Sequence, residues 1–156
     1  MSWAVAADGA RLAWSMDGPS DAPVLILSNS LGTNLERFLS EAFRGEHPAE
    51  TAEVGRMLEE TNPAGYTACC AALRDADLRS LVPSIRLPCL VVAGELDQAT
   101  PPAQALELHD NLVESELVIL PNAGHLSNVE QPDTFSATVV SFLTRFSEEY
   151  QPHAAA

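Results

Sequence analysis

Leu87-Pro88-Cys89-Leu90-Val91-Val92-Ala93-Gly94-Glu95-Leu96-Asp97 is the stretch that decides the fold. Its apolar run is continuous rather than alternating. A strand buried on both faces reads this way, and such strands belong to parallel sheets covered by helices. The same pattern returns in Glu116-Leu117-Val118-Ile119-Leu120, followed by Pro121-Asn122-Ala123-Gly124-His125. Between the two runs, Pro101-Pro102 opens a helix to about Leu112, with proline in the first turn where no amide proton is missed. Pro132 to Phe146 reads as an amphipathic closing helix. Strands alternating with helices predict an α/β protein with a short, mostly parallel sheet.

Working outward, Val24-Leu25-Ile26-Leu27 is a further buried-strand run. It leads into the small polar loop Ser28-Asn29-Ser30-Leu31-Gly32. Ahead of it, Trp3 to Ala6 and Arg11 to Trp14 flank Asp8-Gly9, a preferred tight-turn pair, and predict an N-terminal β-hairpin. From Leu35 to Leu81 the periodicity is helical. Ala49 to Glu60 and Ala64 to Leu73 are its strongest segments, with Thr61 or Asn62 as cap and Pro63 at the first helical position. Residues 1–150 are expected to form one domain: N-terminal strands and a polar loop over 1–34, a helical segment over 35–81, and C-terminal strands and helices over 82–150. Residues 151–156 read as a disordered tail.

Composition narrows the function classes. Eight arginines and no lysine stand against 22 acidic residues, a formal net charge of −14. Such a surface repels phosphate backbones and anionic membranes, so neither nucleic acid nor membrane is an expected partner. No apolar run reaches the roughly 18 residues of a membrane span. Met1-Ser2-Trp3-Ala4 carries neither a basic nor a long apolar leader, so a cytoplasmic location is expected. The cysteines Cys69, Cys70 and Cys89 form no C-x-x-C pair, and Cys69-Cys70 are read as small hydrophobes on a buried helix face. His47, His109 and His153 are read as surface residues without metal-ligand spacing, so no metal is expected. The absence of a phosphate loop or dinucleotide fingerprint predicts no cofactor.

In open parallel sheets, chemistry collects in loops just past the strand C-termini. Asp97 follows one predicted strand and His125 the next. Adjacent parallel strands bring those ends together, where a carboxylate can accept the imidazole Nδ1–H and stabilise the imidazolium. The other ring nitrogen then serves as general base. Acid before histidine is also the chain order of α/β-hydrolases. Against this stand two plain alternatives: an aspartate that caps the next helix and a histidine on a surface turn. The glycine-containing loop over 28–32 is read either as a strand-to-helix connection or as a source of amide donors for an oxyanion.

The motifs VLILSNSLG (24–32), TNPAGYTACCAALRDADL (61–78), GELDQATPP (94–102) and AGHLSNVEQP (123–132) together resemble bacterial 3-oxoadipate enol-lactonase of the α/β-hydrolase superfamily. The resemblance implies Ser-His-Asp hydrolysis of a small lactone in the β-ketoadipate branch of aromatic catabolism. It implies Asp97 as the catalytic acid, His125 as the catalytic histidine and the Leu31 backbone N–H as an oxyanion donor.

One departure is large. That chemistry uses a nucleophile elbow, G-x-S-x-G, and no serine here has glycine at both −2 and +2. No nucleophile is therefore assigned. Gly32-Thr33-Asn34 passes directly into Leu35-Glu36-Arg37-Phe38, which is similar to family sequence from within the cap. The resemblance thus implies an internal deletion with its seam near Asn34, removing about two fifths of a domain of roughly 250 residues. Central strands of the fold would be missing, and the missing elbow predicts weak or absent turnover. The alternative is a non-catalytic remnant acting through strand-edge association with itself, as a homodimer, or with an intact homologue, because an uncovered apolar edge invites pairing.

Overall fold

The computed structural model describes residues 2–5, 11–14 and 35–147. The expected strand at 24–27, the loop at 28–32 with Leu31, the Asp8-Gly9 turn, His153 and the tail 151–156 lie outside the described residues.

Strands β1 (Ser2–Val5) and β2 (Arg11–Trp14) pair antiparallel, Ser2 opposite Trp14 and Val5 opposite Arg11, as the hairpin pattern predicts. The helical stretch divides into α1 (Leu35–Phe38), α2 (Glu41–Glu46), α3 (Pro48–Glu59) and α4 (Pro63–Asp75). Each start after α1 has a local cause. Ser40 Oγ accepts the Phe43 amide at 3.2 Å and caps α2, which ends α1 after a single turn. Pro48 and Pro63 occupy first-turn positions, where the missing donor costs nothing. Asn62 Oδ1 accepts the amides of Ala64 at 3.0 Å and Gly65 at 3.1 Å, so Asn62 is the α4 cap.

β3 (Cys89–Gly94) and β4 (Ser115–Leu120) pair in parallel, from Cys89 opposite Ser115 to Gly94 opposite Leu120. The crossover between them is α5 (Pro102–Asn111), which packs on both strands. The one-turn helix α6 (Ser127–Glu130) and the closing helix α7 (Pro132–Ser147) complete the chain described. α7 lies against Leu90 and Val118, sharing a crevice with them through Phe142.

Among the described residues β3 pairs with β4 alone. A cavity of about 410 Å³ is lined by Leu90, Val91, Val92 and Ala93 in succession, together with Leu108 and Phe135. Successive strand residues point to opposite faces. One space that touches all four therefore runs along the strand's open edge rather than over one face. The most coherent buried cluster lies elsewhere: Phe38, Leu39, Phe43 and Val54, with Ala99, Leu126 and Val129 packed against it. The Cys69–Cys70 pair, expected to be buried, is half-buried. His109, expected on the surface, is also half-buried. Its Nδ1 lies 2.7 Å from Ser115 Oγ because β4 begins at the end of the crossover helix.

Candidate active site

The loops after β3 and β4 are laced together by backbone bonds. The amide of Glu95 donates to Leu120 O at 2.9 Å and that of Leu96 to Ala123 O at 2.8 Å. Glu95 returns a carboxylate oxygen to the Asn122 amide at 2.9 Å. Asn122 holds φ at 59°, a left-handed conformation that asparagine tolerates. Gly94 is required by close approach: a Cβ there would fall onto the carbonyl oxygens of Ala123 and Gly124.

This lacing brings Asp97 and His125 together. His125 Nδ1 lies 2.8 Å from Asp97 Oδ2, and the two side chains are 6% and 4% exposed. Asp97 Oδ1 accepts the amides of Ala99 and Thr100, both at 2.8 Å. Asp97 Oδ2 also accepts the Thr100 hydroxyl at 2.9 Å, and that hydroxyl oxygen lies 3.1 Å from His125 Nδ1. The Thr100 proton is committed to Asp97, so its oxygen can only accept from the ring. The network thereby assigns the proton of His125 to Nδ1, shared between Asp97 and Thr100. The carboxylate does both things the sequence left open: Oδ1 organises the turn toward α5, and Oδ2 orients the histidine.

Phe38 covers the imidazole. Its ring stacks on that of His125, with centroids 5.5 Å apart and planes inclined by 24°. Phe38 O accepts the Leu126 amide at 2.9 Å. Ser40, two residues on, donates its amide and its hydroxyl to the two carboxylate oxygens of Glu130, at 2.8 and 2.7 Å.

Sequence reasoning missed Phe38, Ser40, Thr100 and Glu130. Thr100 had a faint local signal, an Asp-x-x-Thr turn pattern. The other three are joined across some 90 residues of chain and had none.

Other candidates separate clearly. Ser127 is buried at the start of α6 and lines the cavity beside His125, off any elbow. Cys89 stands at the opposite end of β3 from the dyad. Burial, and then the Glu114 carboxylate, push its thiol up, and Sγ donates to Leu87 O at 3.3 Å, so it is no ready thiolate. Among the arginines, Arg56 is engaged by Glu53 and Glu60, and Arg79 by Asp77. Arg37 donates to the Gln98 carbonyl at 3.2 Å, in the loop that carries Asp97. Among the described residues no cluster of three or more His, Cys, Asp or Glu side chains is arranged to hold a metal ion. None of their helices is long and apolar enough to cross a membrane.

The sequence model of a family described as TAP-like protein matches residues 61–151, more than half of the chain. The chain belongs to that family, within the α/β-hydrolase superfamily. It is 35% identical to 3-oxoadipate enol-lactonase 2 of Acinetobacter baylyi over 74% of its own length and 43% of that protein's. It is 31% identical to a pimeloyl-[acyl-carrier protein] methyl ester esterase of Pectobacterium atrosepticum, over 74% of this chain and 48% of that protein. The crystal structure of the enol-lactonase from Burkholderia xenovorans LB400 superposes with a TM-score of 0.68 at 37% identity, covering 70% of this chain and 42% of that one. The chain spans half or less of the length of these relatives. Its short parallel sheet with flanking helices is thus part of an α/β-hydrolase fold.

Proposed function

We propose that this hydrolase-family chain cleaves small activated esters, with a 3-oxoadipate-type enol-lactone as the substrate class, through general-base chemistry at His125. The observation that carries the reading is the buried 2.8 Å contact of His125 Nδ1 with Asp97 Oδ2, at the C-terminal ends of adjacent parallel strands. With Nδ1–H oriented by Asp97, Nε2 takes a proton from water as the water oxygen attacks the lactone carbonyl carbon. The electron pair of the carbonyl moves to its oxygen, giving a tetrahedral oxyanion. That oxyanion is the charge for which the Leu31 amide is the proposed donor. Collapse breaks the ring C–O bond and expels the enolate oxygen, which takes the proton back from the imidazolium. An enol ester suits this scheme because its leaving oxygen is stabilised as an enolate. Direct attack by water is slow by the standard of an elbow serine, so turnover is expected to be low.

The test is hydrolysis of 3-oxoadipate enol-lactone by the chain and by His125→Ala, with matched circular dichroism. Turnover lost in His125→Ala supports the reading. Equal rates, indistinguishable from buffer, overturn it.

A second reading is favoured by the cavity along β3. Among the described residues the edge of β3 away from β4 is unpaired, and with Leu90 to Ala93 facing one space it suits strand pairing with a second copy of the chain. Sedimentation velocity decides this reading: a concentration-dependent dimer supports it, and a monomer at all concentrations removes it.

A further inference from the structure

We propose that Glu130 is a positioning residue for His125: by anchoring Ser40 it seats the Phe38 ring against the imidazole and, with Asp97, sets the orientation of that ring. The inference rests on the general-base reading of His125, which it deepens.

An imidazole bonded to the chain at Cγ and held at Nδ1 still tilts out of its plane, because neither restraint bears on a ring face. Asp97 and Thr100 hold the Nδ1 edge of His125. A second constraint must act on a ring face, and Phe38 supplies it. Phe38 is itself 4% exposed and packed in the cluster with Leu39, Phe43 and Val54. Its place is set on both sides: Leu126, immediately after His125, donates to its carbonyl, and Ser40 is gripped through both its amide and its hydroxyl by Glu130. Charge-assisted bonds of 2.7 and 2.8 Å to one carboxylate are among the stronger neutral-donor contacts available. Ser40 is 6% exposed, so little water competes for them.

The geometry between these parts is tight. A Cβ at Gly124 would lie 2.6 Å from Glu130 Oε1, 2.8 Å from the Ser40 amide nitrogen and 3.1 Å from Phe38 O. The backbone just before His125 is thus pressed into the clamp itself. The clamp also joins two parts of the chain with no sequence proximity, so the α1–α2 junction is what completes the histidine's surroundings.

The experiment is imidazole ¹⁵N NMR on the full chain at alkaline pH, with the ring neutral, alongside ester turnover. In the parent chain a single Nδ1–H tautomer is expected for His125. Glu130→Ala and Phe38→Leu are expected to keep the Nδ1–H tautomer that Asp97 and Thr100 set, but to shift the His125 ring resonances and speed Nδ1–H exchange with water, while kcat falls roughly ten- to a hundredfold with KM unchanged. Glu130→Gln keeps an acceptor for the Ser40 amide and is expected to retain the parent spectrum. Val54→Ala, in the same buried cluster, controls for mere destabilisation and is expected to leave the His125 ring resonances and Nδ1–H exchange as in the parent. Should Glu130→Ala fail to fold, Ser40→Ala and Phe38→Leu report on the same linkage. A parent-like His125 spectrum in folded Glu130→Ala or Phe38→Leu overturns the proposal. If the parent turns over no ester but the spectra change as described, the positioning role stands and the hydrolytic reading falls.

Discussion

The β3–α5–β4–α7 region and the α3–α4 pair use similar apolar residues to different ends. In the first, Val91, Ala93, Leu120 and Phe142 are buried, although Leu106 and Val140 stay exposed on the outer helix faces. In the second, Val54 and Ala72 are the buried positions, while Met57 and Leu73 are 59% and 60% exposed. The helices are held largely by local devices: the Asn62 cap, first-turn prolines and the Glu53–Arg56–Glu60 ladder. Solvated ladders of this kind contribute little. Stability on the exposed face of α4 is therefore largely local, whereas α3 is also tied into the Phe38–Leu39–Phe43 cluster through Val54, and the first region depends on strand pairing and interlocked packing. The dyad stands where the first region meets the start of the helical segment, in contact with Phe38.

The largest test of that contrast truncates one apolar side chain in each region. Phe142→Ala is expected to lower stability by about 3–5 kcal/mol, whereas Leu73→Ala, on an exposed face, is expected to stay within about 0.5 kcal/mol. Chemical denaturation of both variants checks it, and equal losses would erase the distinction.

A second comparison uses glycine. Gly94→Ala forces a Cβ onto the carbonyls of the neighbouring loop and is expected to cost about 1–3 kcal/mol. Gly45→Ala, with nothing within 4 Å, is expected to stabilise α2 by roughly 0.5–1 kcal/mol. Thermal melts of opposite sign are the expected outcome.

Removing the α4 cap sharpens the local side of the comparison. Asn62→Ala is expected to cost about 1 kcal/mol and to leave the His125 NMR signals unmoved.

The smallest effect concerns the Asp77–Arg79 pair. Hydrogen bonds from the Arg79 side chain and backbone hold the Asp77 carboxyl down to about 2. A lowered carboxylate stabilises the fold above its unfolded value, near 3.8, and loses that contribution as pH falls through about 2. Both groups are exposed, so salt is expected to screen the effect. Carboxyl ¹³C titration is expected to show the Asp77 midpoint return toward 3.8 in Arg79→Ala.

Much of the site was legible in the chain because its two chief residues follow the most distinctive local patterns. Runs such as Leu90-Val91-Val92-Ala93 can satisfy their backbone and bury both faces only as covered parallel strands, and loops at strand ends are where Asp97 and His125 had to fall. The Asn62-Pro63 start of α4 was equally readable, since capping is chemistry between neighbours. The break between α1 and α2 was not, because Ser40 leaves the helix to meet Glu130 as well as to cap α2. His109 is half-buried rather than on the surface because its partner, Ser115, opens β4 beside the end of α5.

Sequence alone thus determined the α/β pattern, the acidic composition and the absence of a G-x-S-x-G elbow, and it placed Asp97 and His125 at the ends of neighbouring strands. Those follow from local periodicity, composition and the spacing of one strand–helix–strand unit. The tertiary structure alone decided that Asp97 and His125 meet, the Thr100 bridge, the Phe38 stack and the Glu130–Ser40 clamp. Each of these is a contact between side chains whose meeting depends on how whole elements pack, which no short stretch of sequence encodes.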